Sequence, residues 1–491
     1  MNTFNLDPQI QLKQLFEKWS IEDVISIRPL PQSGSARRYF RINGKTKSVI
    51  GVYNTEEREN VAFITFSRYF KRYGLNVPEV YTYDVSRHVY IQEDLGDLNL
   101  YSFLKTIRID NEFPNEGVLI YKKVIDQLPK FQIAAGNYFD YSSCYPRSNF
   151  DKLSMMWDLN YFKYYFLKLA KVHFDEQKLE DDFNRLTDFL LQTDSNFFMY
   201  RDFQSRNIMI NNNDVYFIDY QGGRKGALQY DLASLLYDAK ADLPEKLREE
   251  LIDYYLQVIQ QHTKINKTQF LKYFYGFVLL RIFQAMGAYG YRGYYERKEH
   301  FLTSIPYAVK NLQTIVDSKS INVDLPELRK CITQIIYTPE LKKYEIEPDE
   351  DGVLNVKIFS FSYFDKQPED LWGNGGGFVF DCRALHNPGR YDKYKDLNGT
   401  DFEVKEFLNN EPLVNDFLNH IYAVIDEVVL NYIARGFSSL MISFGCTGGQ
   451  HRSVYAAEQL ANHLLKKYKI KIDLNHTKLR MIKKLNRAAL L

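Results

Sequence analysis

The stretch from Tyr200 to Asp219 constrains the fold more than any other part of the chain. It reads Tyr-Arg-Asp-Phe-Gln-Ser-Arg-Asn, then Ile-Met-Ile, Asn-Asn-Asn-Asp and Val-Tyr-Phe-Ile-Asp. Two apolar runs, Ile208–Ile210 and Val215–Ile218, flank a turn over Asn211–Asp214, and this pattern predicts an antiparallel hairpin. A hairpin brings the chain back beside its start, so Asn207 and Asp219 become neighbours at the open end. An amide oxygen beside a carboxylate suits Mg2+, a hard cation that prefers oxygen ligands. Asp202 lies one short loop away, where a carboxylate orients an acceptor hydroxyl and takes its proton during phosphoryl transfer. The competing reading is a surface turn with solvated polar groups.

Length sets the scale of everything around that segment. A chain of 491 residues exceeds one core and predicts two or three domains. The hydrophobic share of 45% and net charge of +1 fit a soluble globular protein and exclude a polyanion binder acting through bulk charge. Aromatic residues make up 15%, mostly Tyr and Phe, which predicts aromatic-rich cores. Cys144, Cys331, Cys382 and Cys446 are widely spaced, which argues against a disulfide framework or a structural zinc site. Met1–Gln11 lacks a basic-then-apolar leader pattern and no apolar run reaches membrane-span length, so the expectation is a cytoplasmic protein without membrane contact.

Residues 1–100 read as short strands (Ile27–Pro31, Tyr39–Ile42, Ser48–Tyr53, Val80–Tyr83 and Val89–Gln92) around one helix, Glu57–Tyr73. Residues 101–316 are mainly helical, and 317–354 form a charged linker in which Leu328–Ile336 has helical character. From 355 the pattern alternates strand, loop and helix: Lys357–Ser362, Gly377–Asp381, a helix at Asn415–Ala434, a strand at Ser439–Phe444 and a helix at Ser453–Lys467. That alternation predicts an α/β layer domain.

The Tyr200–Asp219 segment resembles the catalytic loop and metal-binding hairpin of the aminoglycoside phosphotransferase family, closest within it to the anomeric N-acetylmuramate/N-acetylglucosamine kinases of the AmgK type. Arg37–Arg41, Glu93–Asp97, Asp219–Gln221, Tyr230–Leu236 and Arg281–Ala288 extend the likeness over most of residues 20–315. It implies a two-lobed, protein-kinase-like α/β and α+β domain with ATP in its cleft. Residues 1–100 are then the nucleotide lobe and 101–316 the catalytic lobe. It further implies Asp202 as catalytic base, Asn207 and Asp219 as Mg2+ ligands, and the backbone of Glu93, Asp94 and Leu95 against adenine. Ser33, Gly34 and Ser35 occupy the place of a phosphate-covering turn. Two departures stand out. Tyr200 replaces the usual His, and Ser48–Tyr53 lacks the lysine that pairs ATP phosphates in many relatives, which leaves Arg38 or Lys47 to supply that charge. Asp231 is expected to anchor the catalytic loop. Arg281 and Gln284 are read either as sugar contacts or as the polar edge of a packed helix.

A second motif follows the strand at Ser439–Phe444. Gly-Cys-Thr-Gly-Gly-Gln-His-Arg-Ser leads directly into a helix. Glycines at a strand-to-helix turn let backbone N–H groups converge on an anion at the helix N-terminus, and Arg452 adds a bidentate cation. With Phe359–Tyr363, Phe380–Pro388 and Asn398–Asp401, the run resembles the C-terminal domain of the RapZ family across residues 356–476. In that family the domain binds glucosamine-6-phosphate and a small RNA. The resemblance implies a sugar-phosphate site made by Cys446, Thr447, Gly448, Gly449, His451 and Arg452, with His386 as a contact from a neighbouring loop. A rival reading takes Cys446 and Arg452, with five residues between them, as a cysteine-phosphatase loop. Lysines and arginines from Lys466 to Arg487 form a basic tail that fits either RNA phosphates or a solvated helix face.

The leading expectation is therefore an ATP- and Mg2+-dependent kinase of a sugar hydroxyl, with the resemblance implying the anomeric hydroxyl of N-acetylmuramate or N-acetylglucosamine. Its C-terminal domain, residues 355–491, is expected to sense amino-sugar phosphate. The alternative is a regulatory protein that binds sugar phosphate or small RNA and carries a vestigial kinase domain.

Overall fold

The first strands of the chain assemble into one antiparallel sheet with a helix on each face. In a computed structural model, residues 7–30, 37–108, 113–296, 299–318, 321–338, 341, 354–365, 367–368, 370, 377–434, 437 and 439–486 are described. The chain divides into two units: Met1–Lys298 with Ser304–Tyr344, and Glu345–Leu491 with Glu299–Thr303.

In the first unit, β1 (Ser26–Pro29), β2 (Arg38–Asn43), β3 (Ser48–Tyr53), β4 (Val80–Asp84) and β5 (Val89–Glu93) pair in the order β1-β2-β3-β5-β4. Helix α1 (Pro8–Ser20) starts at Pro8 under an Asp7 cap and sets Leu12 and Phe16 against Phe40, Ile42, Val49 and Ile91. Trp19 stacks on Tyr81 at 4.7 Å. Sequence reading left this helix out. On the opposite face α2 (Glu57–Arg72) places Phe63 on Tyr90 and Tyr220, at 5.1 and 5.2 Å.

The second lobe is helical: α3 (Leu100–Ile107), α4 (Asn115–Pro129), α5 (Lys152–Phe162), α6 (Glu176–Leu190), α7 (Leu228–Leu236), α8 (Glu245–Ile259), α9 (Lys267–Gly290), α10 (Ile305–Ser318) and α11 (Pro326–Tyr337). Between α6 and α7, β6 (Phe197–Met199) pairs with β9 (Arg224–Gly226), and β7 (Ile208–Asn211) pairs with β8 (Asp214–Phe217). Helix α11 falls inside the stretch expected to be a linker. It is packed: Asp182 accepts the amides of Glu327 and Leu328 at 2.7 and 2.8 Å, and Cys331, Ile332 and Ile335 are buried. Phe70, Phe131, Phe198, Tyr200 and Tyr220 join the two lobes ring to ring, so much of the aromatic surplus is core. The two-lobed, protein-kinase-like architecture expected from the sequence is the one observed.

In the second unit, β10 (Asn355–Ser362), β11 (Phe378–Asp381), β12 (Ser439–Cys446), β13 (Lys471–His476) and β14 (Met481–Asn486) form one sheet in the order β11-β12-β10-β13-β14. All pairs are parallel except β13 with β14. Helices α12 (Phe402–Asn409), α13 (Pro412–Ala434) and α14 (Arg452–Lys467) complete an α/β domain around Val356, Ile358, Ile442, Phe444, Leu460 and Leu464. The basic stretch corrects the expectation of a tail. Lys466 and Lys467 close the helix Arg452–Lys467, where Lys467 pairs with Asp426, and Lys471–Asn486 is a hairpin of the sheet, where Lys483 pairs with Glu458. Among the described residues, no helix is long and apolar enough to cross a membrane.

Candidate functional site

The hairpin forms in the expected register, with Ile208 opposite Phe217 and Asn211 opposite Asp214. Asn212 and Asn213 both adopt positive φ, 51° and 64°, as a two-residue turn of this hand requires. The open end then brings the predicted residues together. Asn207 Nδ2 donates to the Asp202 carbonyl at 2.8 Å and lies 3.4 Å from Asp219 Oδ2. Ile218 N donates to the Asn207 carbonyl at 3.0 Å, which fixes the base of the pair.

Each flank of this loop is held by a buried polar group. Asp231 is fully buried on α7 and accepts the amides of Tyr200 and Arg201 at 2.9 and 3.0 Å and Gln132 Nε2 at 3.2 Å. Burial pushes its carboxyl up to about 7 against the pull of those three donors. Tyr200 is also fully buried, and its hydroxyl donates to the Ile218 carbonyl at 2.7 Å, tying the loop to the segment that carries Asp219. Arg201, at φ 82°, grips Asp158 with two bonds of 2.7 and 2.6 Å. Burial raises the pKa of Asp202, and Arg281 and Arg201 oppose that rise. Arg281 lies along α9 with Nε on Ser234 Oγ at 2.9 Å, Nη1 on Gln284 and Nη2 3.4 Å from Gln204. Arg281 therefore reaches the loop that carries Asp202, with Gln284 bonded to it from the same helix.

The cation at this site is one that sequence reading missed. Arg37, only 3% exposed, places Nη1 3.0 Å from Asp219 Oδ1 and Nη2 on Glu59 of α2. Arg38 is exposed, with its guanidinium over the Phe40 ring, and Lys47 turns to Glu22 and the Trp19 ring. The signal was present in Arg37–Arg38 at the start of β2, but the partners lie 22 and 182 residues away.

Glu93 ends β5 with its carboxylate receiving Glu79 N, while Asp94 accepts Arg41 at 2.7 and 3.0 Å and Ser48 Oγ at 2.7 Å. Against burial, Arg41 and Ser48 hold the Asp94 carboxyl below its usual range. Leu95 is buried. These side chains brace the crossing between the lobes. Ser33, Gly34 and Ser35 lie outside the described residues.

Metal-binding capacity follows from the acceptors. Asp219 Oδ1 is engaged by Arg37 and Gln221, and Asn207 directs its N–H to the Asp202 carbonyl. Asp219 Oδ2 faces Asn207 Nδ2 at 3.4 Å, so a carboxylate and an amide stand side by side, residue types that could hold Mg2+ through their oxygens. Among the described residues no group of three or more His, Cys, Asp or Glu forms a metal cluster.

In the second unit, β12 runs into the loop and α14 follows. Thr447 and Gly448 are exposed, and a Cβ on Gly448 would meet nothing within 4 Å. Gly449 has φ 66° and is tucked against Ser362. Cys446 is buried, its sulfur receiving Gly449 N at 3.2 Å and facing Ser453 Oγ at 3.1 Å. His451 contacts the Tyr394 carbonyl at 2.9 Å. Arg452, 5% exposed, donates through Nη1 to the carbonyls of Arg383 and Leu385, and its Nε has no partner among the described residues. His386 is engaged at both nitrogens, by Glu411 at 2.9 Å and Tyr391 at 3.1 Å.

Comparison with known proteins agrees with this two-part anatomy. Residues 26–265 match the phosphotransferase enzyme family, and residues 354–480 match the RapZ C-terminal domain. A nucleotide-binding protein of Fervidobacterium nodosum is 36% identical over 129 residues, 26% of this chain and 44% of that protein. One from a Shewanella species is 39% identical over 168 residues, 31% of this chain and 57% of its own length. The chain thus spans about half the length of the curated relatives it matches. Choline kinase LicA from Streptococcus pneumoniae aligns at 15% identity and TM-score 0.42, covering 62% of this chain and 99% of that one. The streptomycin–ATP complex of APH(2")-IIa aligns at 13% and 0.40, covering 70% and 100%. The chain joins a domain of the phosphotransferase enzyme family to a RapZ C-terminal domain.

Proposed function

We infer that the first unit is an ATP-dependent small-molecule kinase acting on a sugar hydroxyl, with the anomeric hydroxyl of N-acetylmuramate or N-acetylglucosamine as the leading acceptor. The observation that carries this reading is the convergence of Asp202, Asn207 and Asp219 on one loop and hairpin, with a buried arginine on the metal-side carboxylate. Magnesium, held by Asn207 and Asp219, would supply charge neutralisation for the phosphates. Asp202 orients the acceptor hydroxyl and receives its proton. Arg37, aligned by Glu59, takes the place of the missing strand lysine as the cation facing the phosphates. The Glu93–Leu95 backbone receives the adenine, and residues 1–100 and 101–316 are the nucleotide and catalytic lobes.

The second unit is read as a sugar-phosphate site on the exposed Thr447–Gly448 backbone at the start of α14. The unpartnered Nε of Arg452 is a further donor for such an anion. His386 has the weaker case, since Glu411 and Tyr391 engage both its nitrogens.

The test is a turnover screen of amino sugars with ATP and Mg2+, with phosphorus NMR to locate the new ester. A phosphorylated sugar, lost in Asp202→Asn, is the expected result. Unchanged turnover in that variant, or no acceptor among the amino sugars, would leave the regulatory reading with a vestigial kinase domain.

A further inference from the structure

Beside the catalytic loop, three cations gather on elements that arrive from different parts of the chain. Arg206 lies within the loop itself, between Asp202 and Asn207, and is exposed. Its guanidinium sits over the Tyr101 ring, 5.0 Å from the centroid. Lys105, one turn further along α3, lies over the same ring at 5.0 Å. Lys240 comes from the short helical turn Ala239–Ala241 and is half-buried. Its neighbours in the field are Arg206, Lys105 and Asp238. Asp238 is already engaged, accepting the Ser205 amide at 3.0 Å and the Ser205 hydroxyl.

Like charges drawn together repel, and the fold gains no stability from the gathering. The Ser205–Asp238 bonds place the Ala239–Ala241 turn beside the loop of Arg206, and there burial, then Arg206 and Lys105, push the Lys240 ammonium down to about 7. An ordinary solvated face would leave such a lysine extended into water, whereas Lys240 is half-buried. Near neutral pH the cluster is relieved either by loss of the Lys240 proton or by an anion from outside the chain, which would keep the ammonium charged. Arg206 also fixes where that anion lies, four residues from Asp202 on the loop that faces the acceptor.

We propose that Lys105, Arg206 and Lys240 form an anion subsite for the acceptor, so that the preferred substrate carries a carboxylate or phosphate group as well as the hydroxyl that is phosphorylated. The Tyr101 ring holds Lys105 and Arg206 in place and presents a flat apolar surface beside them. This subsite rests on the kinase reading of the same loop and deepens it, dividing acceptors by charge and not by ring type.

N-acetylmuramic acid and N-acetylglucosamine differ by one carboxylate-bearing ether, and glucosamine-6-phosphate offers the phosphate in its place. The full chain is assayed with ATP and Mg2+ against all three, and binding of each is measured by calorimetry without nucleotide. The expected result is a kcat/KM at least tenfold higher for one of the anionic sugars than for the neutral one. In Arg206→Gln and Lys240→Met that ratio falls severalfold toward unity, where a merely structural role would lower both values together. The preference also weakens with added salt. Turnover of the neutral sugar at an equal or higher rate overturns the subsite and leaves the kinase reading intact. Binding of an anionic sugar that is lost in these variants, without turnover of any sugar, keeps the subsite and overturns the kinase reading. No binding and no turnover overturns both.

Discussion

Arg37 bridges Asp219 of the hairpin and Glu59 of α2, with Nη1 3.0 Å from the Asp219 carboxylate. The pair couples the sheet lobe to the carboxylate proposed to hold Mg2+ through one buried guanidinium, and Asn54 Nδ2 steadies Glu59 at 2.9 Å. Arg37→Met removes the cation and leaves two carboxylates without their common partner. The expected loss in kcat/KM is about a hundredfold. Stability should fall by about 1–2 kcal/mol, less than a fully buried pair costs because both carboxylates are part-exposed. Arg37→Lys should recover part of the activity, since one ammonium reaches one carboxylate but not both. Steady-state kinetics beside thermal melting separates the two effects.

That bridge marks the limit of what the sequence disclosed. The hairpin was legible because its turn is built from asparagines that accept positive φ, and because both strands are apolar. Helix α2 was legible from its periodic apolar face. Arg37 was not, since its role exists only once β2, α2 and the hairpin meet. Strand β14 was hidden for a different reason: Lys483 and Lys484 interrupt the apolar residues Met481, Ile482 and Leu485, so composition suggested a tail. Arg452 was expected to face an anion, but two of the carbonyls it meets belong to a distant loop that no local pattern places beside it.

Asp202 ties activity to acidity in a direction that can be worked out. Burial raises its pKa above the ordinary 3.8. For an acid with a raised folded value, the favourable contribution is present below the unfolded pKa and is lost as pH rises through the folded pKa. At neutral pH the ionised Asp202 is therefore a cost to the fold, and on the proposed role as base it is required for turnover. Asp202→Asn should lower turnover by about a thousandfold while leaving the melting temperature equal or higher. In the parent protein, kcat/KM should rise with pH through an apparent pKa above the usual aspartate range.

Tyr200 occupies the position where the resembled kinases commonly have His, and its hydroxyl performs a structural task by bonding the Ile218 carbonyl. Tyr200→Phe keeps the packing against Phe131, Phe203 and Tyr220 and deletes only that bond. A part-buried carbonyl loses its donor, at about 1 kcal/mol. Since Ile218 precedes Asp219, the variant should also lower kcat more than it changes the KM for ATP. A fall in melting temperature with kcat unchanged would show that the bond supports the fold without positioning the metal-side carboxylate.

Adjacent glycines in the second unit allow anion binding to be separated from folding. A methyl on Gly449 would lie 2.8 Å from the Ser362 amide, at a residue whose φ is 66°. Gly449→Ala should thus destabilise the domain by at least about 1 kcal/mol from the backbone alone, with crowding added. A methyl on Gly448 meets no atom within 4 Å. Gly448→Ala should leave stability within about 0.5 kcal/mol, as surface changes usually do. Its methyl would stand on the exposed backbone where a phosphate is proposed to dock, so the affinity for glucosamine-6-phosphate should fall at least tenfold. Calorimetry and melting of both variants in the full chain decide the matter: retained affinity in Gly448→Ala would place the ligand elsewhere, because no folding defect is available to mask the result.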